Sequence, residues 1–248
     1  MTVTNTATFN LDLSEAVEEA YERCGSELRS GYDLRTARRS MNLLFADWAN
    51  RGVNLWTVEQ GQITLVQGQN TYDLPVDTVD LIEHVVRTND GQQNNQADLT
   101  ITRISVSTYA TIPNKLQQAR PIQVWINRQS GATYTPTGPN GTSVSTGVDA
   151  PKIVVWPTPD GSQTYTFVYW RLRRIHDAGN GANTFDIPFR MLPCLVAGLA
   201  YYLCLKIPNA QDRLGVLKQQ YDEAWEMAAT EDRDKSAVRF VPRRMFIT

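Results

Sequence analysis

Histidine and cysteine are both scarce in this sequence, which limits the chemistry that the chain can perform. It has two histidines, His84 and His176, and three cysteines, Cys24, Cys194 and Cys204. Each cysteine occupies an apolar position of a helical pattern, and an odd number of cysteines so far apart favours buried, reduced thiols over a disulfide framework or a metal site. We therefore expect synthesis in a reducing compartment, no bound metal and no cofactor.

The chain also lacks an excess of positive charge and a long apolar run. Lys and Arg number 24 against 26 Asp and Glu, a formal charge of −2, so no global basic field favours DNA binding as the primary role. The most apolar stretch, 192–205, is interrupted by tyrosines and is too short to cross a bilayer, and residues 1–10 lack the pattern of a signal peptide. With 248 residues, 42% of them hydrophobic, the composition predicts a soluble globular protein without membrane contact.

Residues that could form an active site are few. No serine or cysteine lies in a nucleophile-elbow context. His176 and Asp177 could act as an acid–base pair, but neighbours on an extended chain point in different directions, which favours a surface loop. Glu22, Asp47 and Asp73 could pair as glycosidase carboxylates, although a chance pair is expected among 26 acidic residues. The sequence therefore predicts no catalytic residues and no enzyme.

Helical patterns occupy both ends of the chain. Asp12, with Glu15 three residues later, has the spacing of a capping box, and this first helix is expected to end near Cys24. Asp33 is expected to cap a second helix that ends at Gly52.

Near the C-terminus, apolar residues recur at helical steps over 192–207 and again from about 209 to 235. Pro208 separates these runs, and Asn209 is a suitable cap for the second of them. The two runs predict an αα-hairpin.

The middle of the chain has the alternation typical of strands. Runs at 62–66 and 71–74 flank Gln67–Asn70 with the spacing of a β-hairpin. Further strands are predicted at 81–87, 99–104, 122–127, 152–156 and 165–175. Seven strands suffice for a small antiparallel sandwich or barrel. We expect the long connections to be exposed loops, and the strand tryptophans to lie in the core: loops 89–97 and 130–150; Trp125, Trp156 and Trp170.

These patterns predict an α+β fold, in which a four-helix core from both ends of the chain carries an inserted antiparallel β-sandwich or barrel. The predicted divisions are 1–60 for the N-terminal helical pair, 61–185 for the β domain, 186–235 for the C-terminal helical hairpin and 236–248 for an extended tail.

The tail has an unusual composition. Its basic residues are Lys235, Arg239, Arg243 and Arg244, without an acid, and apolar residues lie between them: Val238, Phe240, Val241, Met245, Phe246 and Ile247. Pro242 is incompatible with a helix interior. A segment this apolar either packs on its own domain or binds another chain. Because the preceding run, 231–235, is too polar to lie against a core, we favour an arm that binds another chain.

Several short motifs follow one another over most of the chain from about residue 10, and their order and spacing are more informative than any one motif. They are Leu65–Pro75, Arg103–Ser105 with Tyr109 and Ile112–Lys115, Arg120–Pro121 with Trp125, Trp156–Pro159, Asp186–Pro188, Tyr221–Ala224, and Glu231–Arg233 leading to Val238–Arg243. In this order the chain resembles the head-to-tail adaptor proteins of short-tailed, podovirus-type bacteriophages. That group includes head-completion, or tail accessory, factors and is similar to the tail tubular A proteins.

The resemblance implies a virion structural protein at the head–tail interface, assembled in the host bacterial cytoplasm. It implies a ring of twelve subunits that binds the portal protein, closes the head after genome packaging, and seats the tail through a tail nozzle or tail tubular protein. Phage DNA would pass through the lumen during ejection without sequence-specific binding. The docking arm that would reach into the portal is carried over to Arg239, Phe240, Val241, Pro242, Arg243, Arg244, Met245 and Phe246.

Two other functions stay open at this point. Some relatives are credited with peptidoglycan hydrolysis, so a virion-associated hydrolase is one alternative. The β insertion and its tryptophans raise a carbohydrate-binding module as the other. Clearing on a zymogram distinguishes the first, and glycan binding that depends on Trp125 or Trp170 distinguishes the second.

Overall fold

The structure is a computed structural model that describes residues 8–52, 55–128, 133–137, 141–145, 151–180, 182–208 and 210–232, with backbone only for 133–137 and 141–145. It has two compact units. The helical unit comprises residues 1–56 and 175–248, and the β unit comprises residues 57–174. Residues 175–185, which the sequence assigns to the β domain, belong to the helical unit. The fold is α+β, as predicted.

Among its described residues, the helical unit contains four α-helices: α1 Leu13–Cys24, α2 Gly31–Arg51, α4 Leu192–Cys204 and α5 Leu214–Glu231. The capping box of α1 is confirmed, because Asp12 accepts from the Glu15 N–H and the Glu15 side chain accepts from the Asp12 N–H. The prediction of Asp33 as the cap of α2 is wrong. Ser30 caps that helix, and Asp33 is its reciprocal partner. The predicted end of α2 at Gly52 is confirmed by a left-handed residue with φ of 76°.

Helix α5 starts later than its apolar pattern indicates. A short 3₁₀ turn at Gln211–Arg213 precedes it, and Arg213 occupies the cap position without a capping side-chain hydrogen bond. The Arg213 guanidinium donates instead to the backbone carbonyl of Arg23, at 3.1 Å. The predicted start near 209 is therefore too early, and Asn209 itself lies outside the described residues.

Helix α4 is the most enclosed of the four. Ten of its 13 residues are buried, because its sequence is apolar or small on nearly every face. Gly198 allows its neighbours to approach closely: a Cβ there would lie 2.9 Å from the Tyr221 ring and 3.0 Å from the Leu44 side chain. Buried side chains from α1, α2, α4 and α5 belong to a single hydrophobic cluster.

The β unit contains two four-stranded sheets and a two-stranded one. The first sheet has the order β1-β10-β3-β4 and the second β2-β9-β6-β5. The strands are β1 Val58–Leu65, β2 Thr71–Asp73, β3 Thr78–Thr88, β4 Ala97–Thr100, β5 Thr102–Ile104, β6 Gln123–Asn127, β7 Thr133–Thr137, β8 Gly141–Ser145, β9 Lys152–Trp156 and β10 Tyr165–Arg173. A short helix, α3 Val106–Thr111, follows β5.

The strand pairing corrects two predictions. Neither four-stranded sheet closes into a barrel, and the insertion is not wholly antiparallel, because β5 pairs with β6 in parallel. Strands β1 and β2 are not a hairpin: β1 pairs with β10 and β2 with β9. The turn between them crosses from one sheet to the other. The Tyr72 hydroxyl closes it, accepting from the Val66 N–H at 2.8 Å and lying 2.8 Å from the Gln69 carbonyl oxygen.

Two further segments, one predicted as a strand and one as a loop, also differ from prediction. The single strand expected at 99–104 is two strands in different sheets, with buried Ile101 between them. The region 130–150, expected as a loop, contains the antiparallel pair β7 and β8. Its Thr and Ser content does not produce an apolar alternation, so the pattern that marks a half-buried strand is missing there.

Candidate docking site

The segment with the predicted docking residues begins at a fixed point on the helical unit. Helix α5 ends at Glu231, and the next residue, Asp232, has a fully buried side chain. Its carboxylate accepts from the Leu55 N–H at 3.1 Å and pairs with the Arg190 guanidinium. The inference that run 231–235 is too polar to lie against the core is therefore wrong at Asp232, because two donors compensate the buried charge.

Asp232 anchors the origin of the tail. A buried carboxylate that loses its partners is strongly destabilising, so these contacts oppose fraying of the last turn of α5. The predicted docking residues follow a few positions later and lie outside the described residues: Arg239, Phe240, Val241, Pro242, Arg243, Arg244, Met245 and Phe246. Their role stays a prediction.

A polar and aromatic cluster holds α5 against α2. The Trp48 indole donates to the Tyr221 hydroxyl at 3.1 Å, inside the hydrophobic core. The Arg51 guanidinium lies over the ring of Trp225, 4.8 Å from its centroid, and pairs with Asp47 at 2.9 Å. Burial raises the pKa of Tyr221. This cluster fixes the helix from which the tail departs, and the sequence analysis did not indicate that its members meet.

The residues considered for acid–base chemistry do not come together. His176 is exposed, and its Nδ1 lies 3.6 Å from Asp186 Oδ2 rather than beside Asp177. His84 lies in β3 and stacks on Phe167, with ring centroids 5.8 Å apart. Burial lowers the pKa of His84, and the nearby Arg103 adds to that effect. The two histidines belong to different units, and His176 is paired with Asp186 rather than with the predicted partner Asp177.

The three cysteines are buried and unpaired, as predicted. Cys24 Sγ lies 3.2 Å from the Ala200 carbonyl oxygen, and Cys204 Sγ lies 2.9 Å from that of Ala210. Burial raises the pKa of the Cys24 thiol to about 11 and that of the Cys194 thiol to about 12. These thiols are therefore protonated at neutral pH, which makes them poor nucleophiles and poor metal ligands.

Neither a metal site nor a membrane span is visible in the part of the chain that the structure describes. Among the described residues, no three or more His, Cys, Asp and Glu side chains are placed so that they could hold a metal ion together. No described helix combines the length and apolar character needed to cross a bilayer.

The strand tryptophans do not lie in the core, which corrects the prediction for Trp125, Trp156 and Trp170. All three are half-buried, and none belongs to the hydrophobic cluster of the β unit. Trp125 stacks on Tyr109 of α3, with centroids 5.1 Å apart. Trp156 donates to the Asn114 carbonyl at 3.0 Å. Strand alternation explains the error, since these positions point away from the face that packs inward.

Three of the stretches that carry the family resemblance meet in the β unit. The Gly68 N–H donates to the Pro159 carbonyl at 3.0 Å, which joins the 65–75 stretch to the 156–159 stretch. The Thr158 hydroxyl donates to the Lys115 carbonyl at 3.3 Å, which joins the 112–115 stretch to the 156–159 stretch. The loop that follows α3 is thereby tied to the same place. Sequence order alone did not indicate that these stretches are neighbours.

Comparison with models of known protein families identifies the class of protein to which this chain belongs. The profile of the SU10 adaptor protein matches residues 11–244, so the match spans both units. It defines a structural adaptor protein of phage virions, in accordance with the resemblance to head–tail adaptors. The chain belongs to the SU10 adaptor family. A search of curated proteins finds no match. A structural adaptor family is consistent with a protein that is not an enzyme.

Proposed function

We propose that this adaptor binds the portal protein of a short-tailed phage, closes the DNA-filled head and seats the tail. The observation that carries the proposal is the anchored origin of the tail. Asp232 fixes the end of α5, and the sequence that follows is basic and apolar, with Pro242 preventing continuation as a helix. A basic and apolar segment with a fixed origin suits insertion into a groove of another protein.

The architecture supports the same role. The buried residues of α1, α2, α4 and α5 form one cluster, and those of the β unit form another. We infer a four-helix core that contacts the portal and a two-sheet, sandwich-like β unit that contacts a tail nozzle or tail tubular protein. A ring of twelve subunits would repeat each weak contact and increase the total affinity through effective concentration.

The proposed activity is binding alone. The buried thiols are protonated at neutral pH and therefore provide no activated nucleophile among the described residues. Since each subunit has a formal charge of −2, we expect acids and amides, rather than a stripe of arginines, to line a lumen through which DNA passes.

Adding the purified protein to DNA-filled heads that lack it tests this proposal. Negative-stain images should then show a ring of density at the portal vertex and retained DNA, whereas heads with a blocked portal should gain no ring. Binding at random places on the capsid would contradict the proposal. Clearing of peptidoglycan on a zymogram, lost on substitution of a named acid, would favour the hydrolase instead.

A further inference from the structure

An open groove lies along α4 of the helical unit, between α1 and α5, and continues along α5. It consists of three adjoining depressions: the first and second share Pro193, the second and third share Met227, and the described lining of the third belongs to α5. Exposed apolar side chains line it in two places. Phe9 and Phe189, in the first depression, are 66% and 68% exposed and pack edge to face at 6.3 Å, and Met227, where the second and third depressions meet, is 68% exposed.

Both edges of the groove are acidic. Helix α1 contributes Glu15, Glu18, Glu19 and Glu22 on one side. Helix α5 contributes Glu223 and Glu226 on the other. Arg23 is the only basic residue among the described residues that line the groove, and it already pairs with Glu19 at 2.9 Å. The groove therefore combines exposed apolar area with a negative field, which favours a peptide that is both apolar and basic.

The chain's own C-terminal segment has that composition. Residues 235–248 contain four basic residues, no acid, and phenylalanine, valine, methionine and isoleucine between them. Its arginines match the glutamates at the edges, and its apolar side chains match the exposed aromatic and methionine surface along the floor.

The distances allow the segment to reach the groove within one subunit. Glu231 lines the end of the groove at which α5 stops, and Asp232 holds the chain there. Helix α5 has 18 residues and is therefore about 27 Å long. About eight extended residues span that distance, so residues 233–248 can follow the groove along its whole length. A short tether also gives a high effective concentration, which favours the segment's own groove over another copy's.

We infer that, before assembly, residues 235–248 lie in the acidic groove of their own subunit, formed by α1, α4 and α5. There the groove covers the apolar side chains of the tail, and the tail covers Phe9, Phe189 and Met227. Release of the segment to the portal rests on the proposed function, whereas its contact with the groove does not.

Disulfide trapping in the full-length protein tests the contact. Met227→Cys is combined in turn with Val238→Cys, Val241→Cys and Met245→Cys, and the native thiols are buried and do not compete. Under mild oxidation we expect at least one pair to form a bond within the subunit, identified by mass spectrometry and by a monomer that migrates faster without reductant. The single-cysteine variants are the controls.

A second part of the experiment tests the role of charge. In the best cross-linking pair, Glu18→Gln with Glu22→Gln should slow bond formation about threefold or more, because each exposed ion pair has a modest contribution. Asp212→Asn with Asp222→Asn removes the same charge outside the groove lining and should leave the rate unchanged. Equal slowing by both pairs would overturn the charge-specific contact.

The remaining outcomes separate this inference from the proposed function. No cross-link from any tail position, or covalent dimers alone, would overturn the contact within the subunit. Dimers would assign the segment to the groove of a second copy. If the segment fails to cross-link and yet its deletion abolishes attachment to heads, the inference is wrong and the proposed function stands.

Discussion

Asp232 is a single residue on which the position of the tail depends. Its side chain is fully buried, with one donor from the backbone of Leu55 and one from Arg190, whose own side chain is 41% exposed. A polar residue just after a helix usually lies on the solvent-exposed surface. The sequence contains no sign that these two donors converge on it, because they lie far away along the chain.

Removing that carboxylate should destabilise the helical unit. We expect Asp232→Ala to lower the free energy of unfolding by about 1–3 kcal/mol, since the Leu55 N–H and Arg190 lose their acceptor while Arg190 can still reach water. Asp222→Ala, exposed on the same helix, should change it by less than about 0.5 kcal/mol. Urea unfolding measures both. Equal effects of the two substitutions would show that Asp232 is not an anchor.

His84 should make stability dependent on pH. Its pKa in the folded protein lies below the ordinary value of 6.5, chiefly because of burial. The unfolded chain therefore binds the proton more readily, so stability should fall as pH decreases from about 7 through 6.5 and below. His84→Phe keeps a ring against Phe167 and should remove this part of the slope. Urea unfolding at several pH values tests this, and an unchanged slope in His84→Phe would contradict it.

At the scale of the elements, Gly198 determines how closely α4 packs against its neighbours. A side chain there meets Tyr221 at 2.9 Å and Leu44 at 3.0 Å. Gly198→Leu should therefore destabilise the protein by about 1–3 kcal/mol or more through overpacking. Gly215→Ala is the matched control, because a Cβ added at Gly215 in α5 would have no neighbouring side chain within 4 Å. That change should instead stabilise by about 0.5–1 kcal/mol. Thermal melts measure both effects. If the two substitutions shifted the melting temperature in the same direction, this explanation would be contradicted.

The accuracy of the sequence predictions follows the range of the interactions involved. The capping box of Asp12 and Glu15 and the glycine end at Gly52 depend on residues within one turn, and both are confirmed. Strand partners depend on residues far apart in sequence. For this reason alternation located most strands but did not show that β1 and β2 lie in different sheets, or that Tyr72 closes the turn between them.

The candidate site was only partly visible in the sequence for the same reason. The composition of residues 235–248 is a local property, so the sequence alone suffices to predict an arm there, while the segment itself lies outside the described residues. The acidic groove requires α1 and α5 to lie on either side of α4, and the burial of Asp232 requires α5 to end beside Leu55. These relations exist only after the two ends of the chain have come together.

At the scale of the whole molecule, the helical unit and the β unit have separate cores. The stretches that resemble head-to-tail adaptors occur in both, and the family match spans them, from residue 11 to residue 244. The match therefore includes the predicted docking residues Arg239 to Arg244. In the proposed function, each of the two units contacts a different partner.

Deletion of residues 239–248 tests the docking role most directly. The purified full-length and truncated proteins are each added to DNA-filled heads that lack the adaptor, and the fraction of heads with a ring at the portal vertex is counted. We expect the truncated protein to lose attachment, with its melting temperature within about 4 °C of the full-length value, because a contact in a surface groove contributes about 1 kcal/mol or less. Attachment as complete as that of the full-length protein would contradict the docking arm, and an insoluble or far less stable truncated protein would assign the tail to the core.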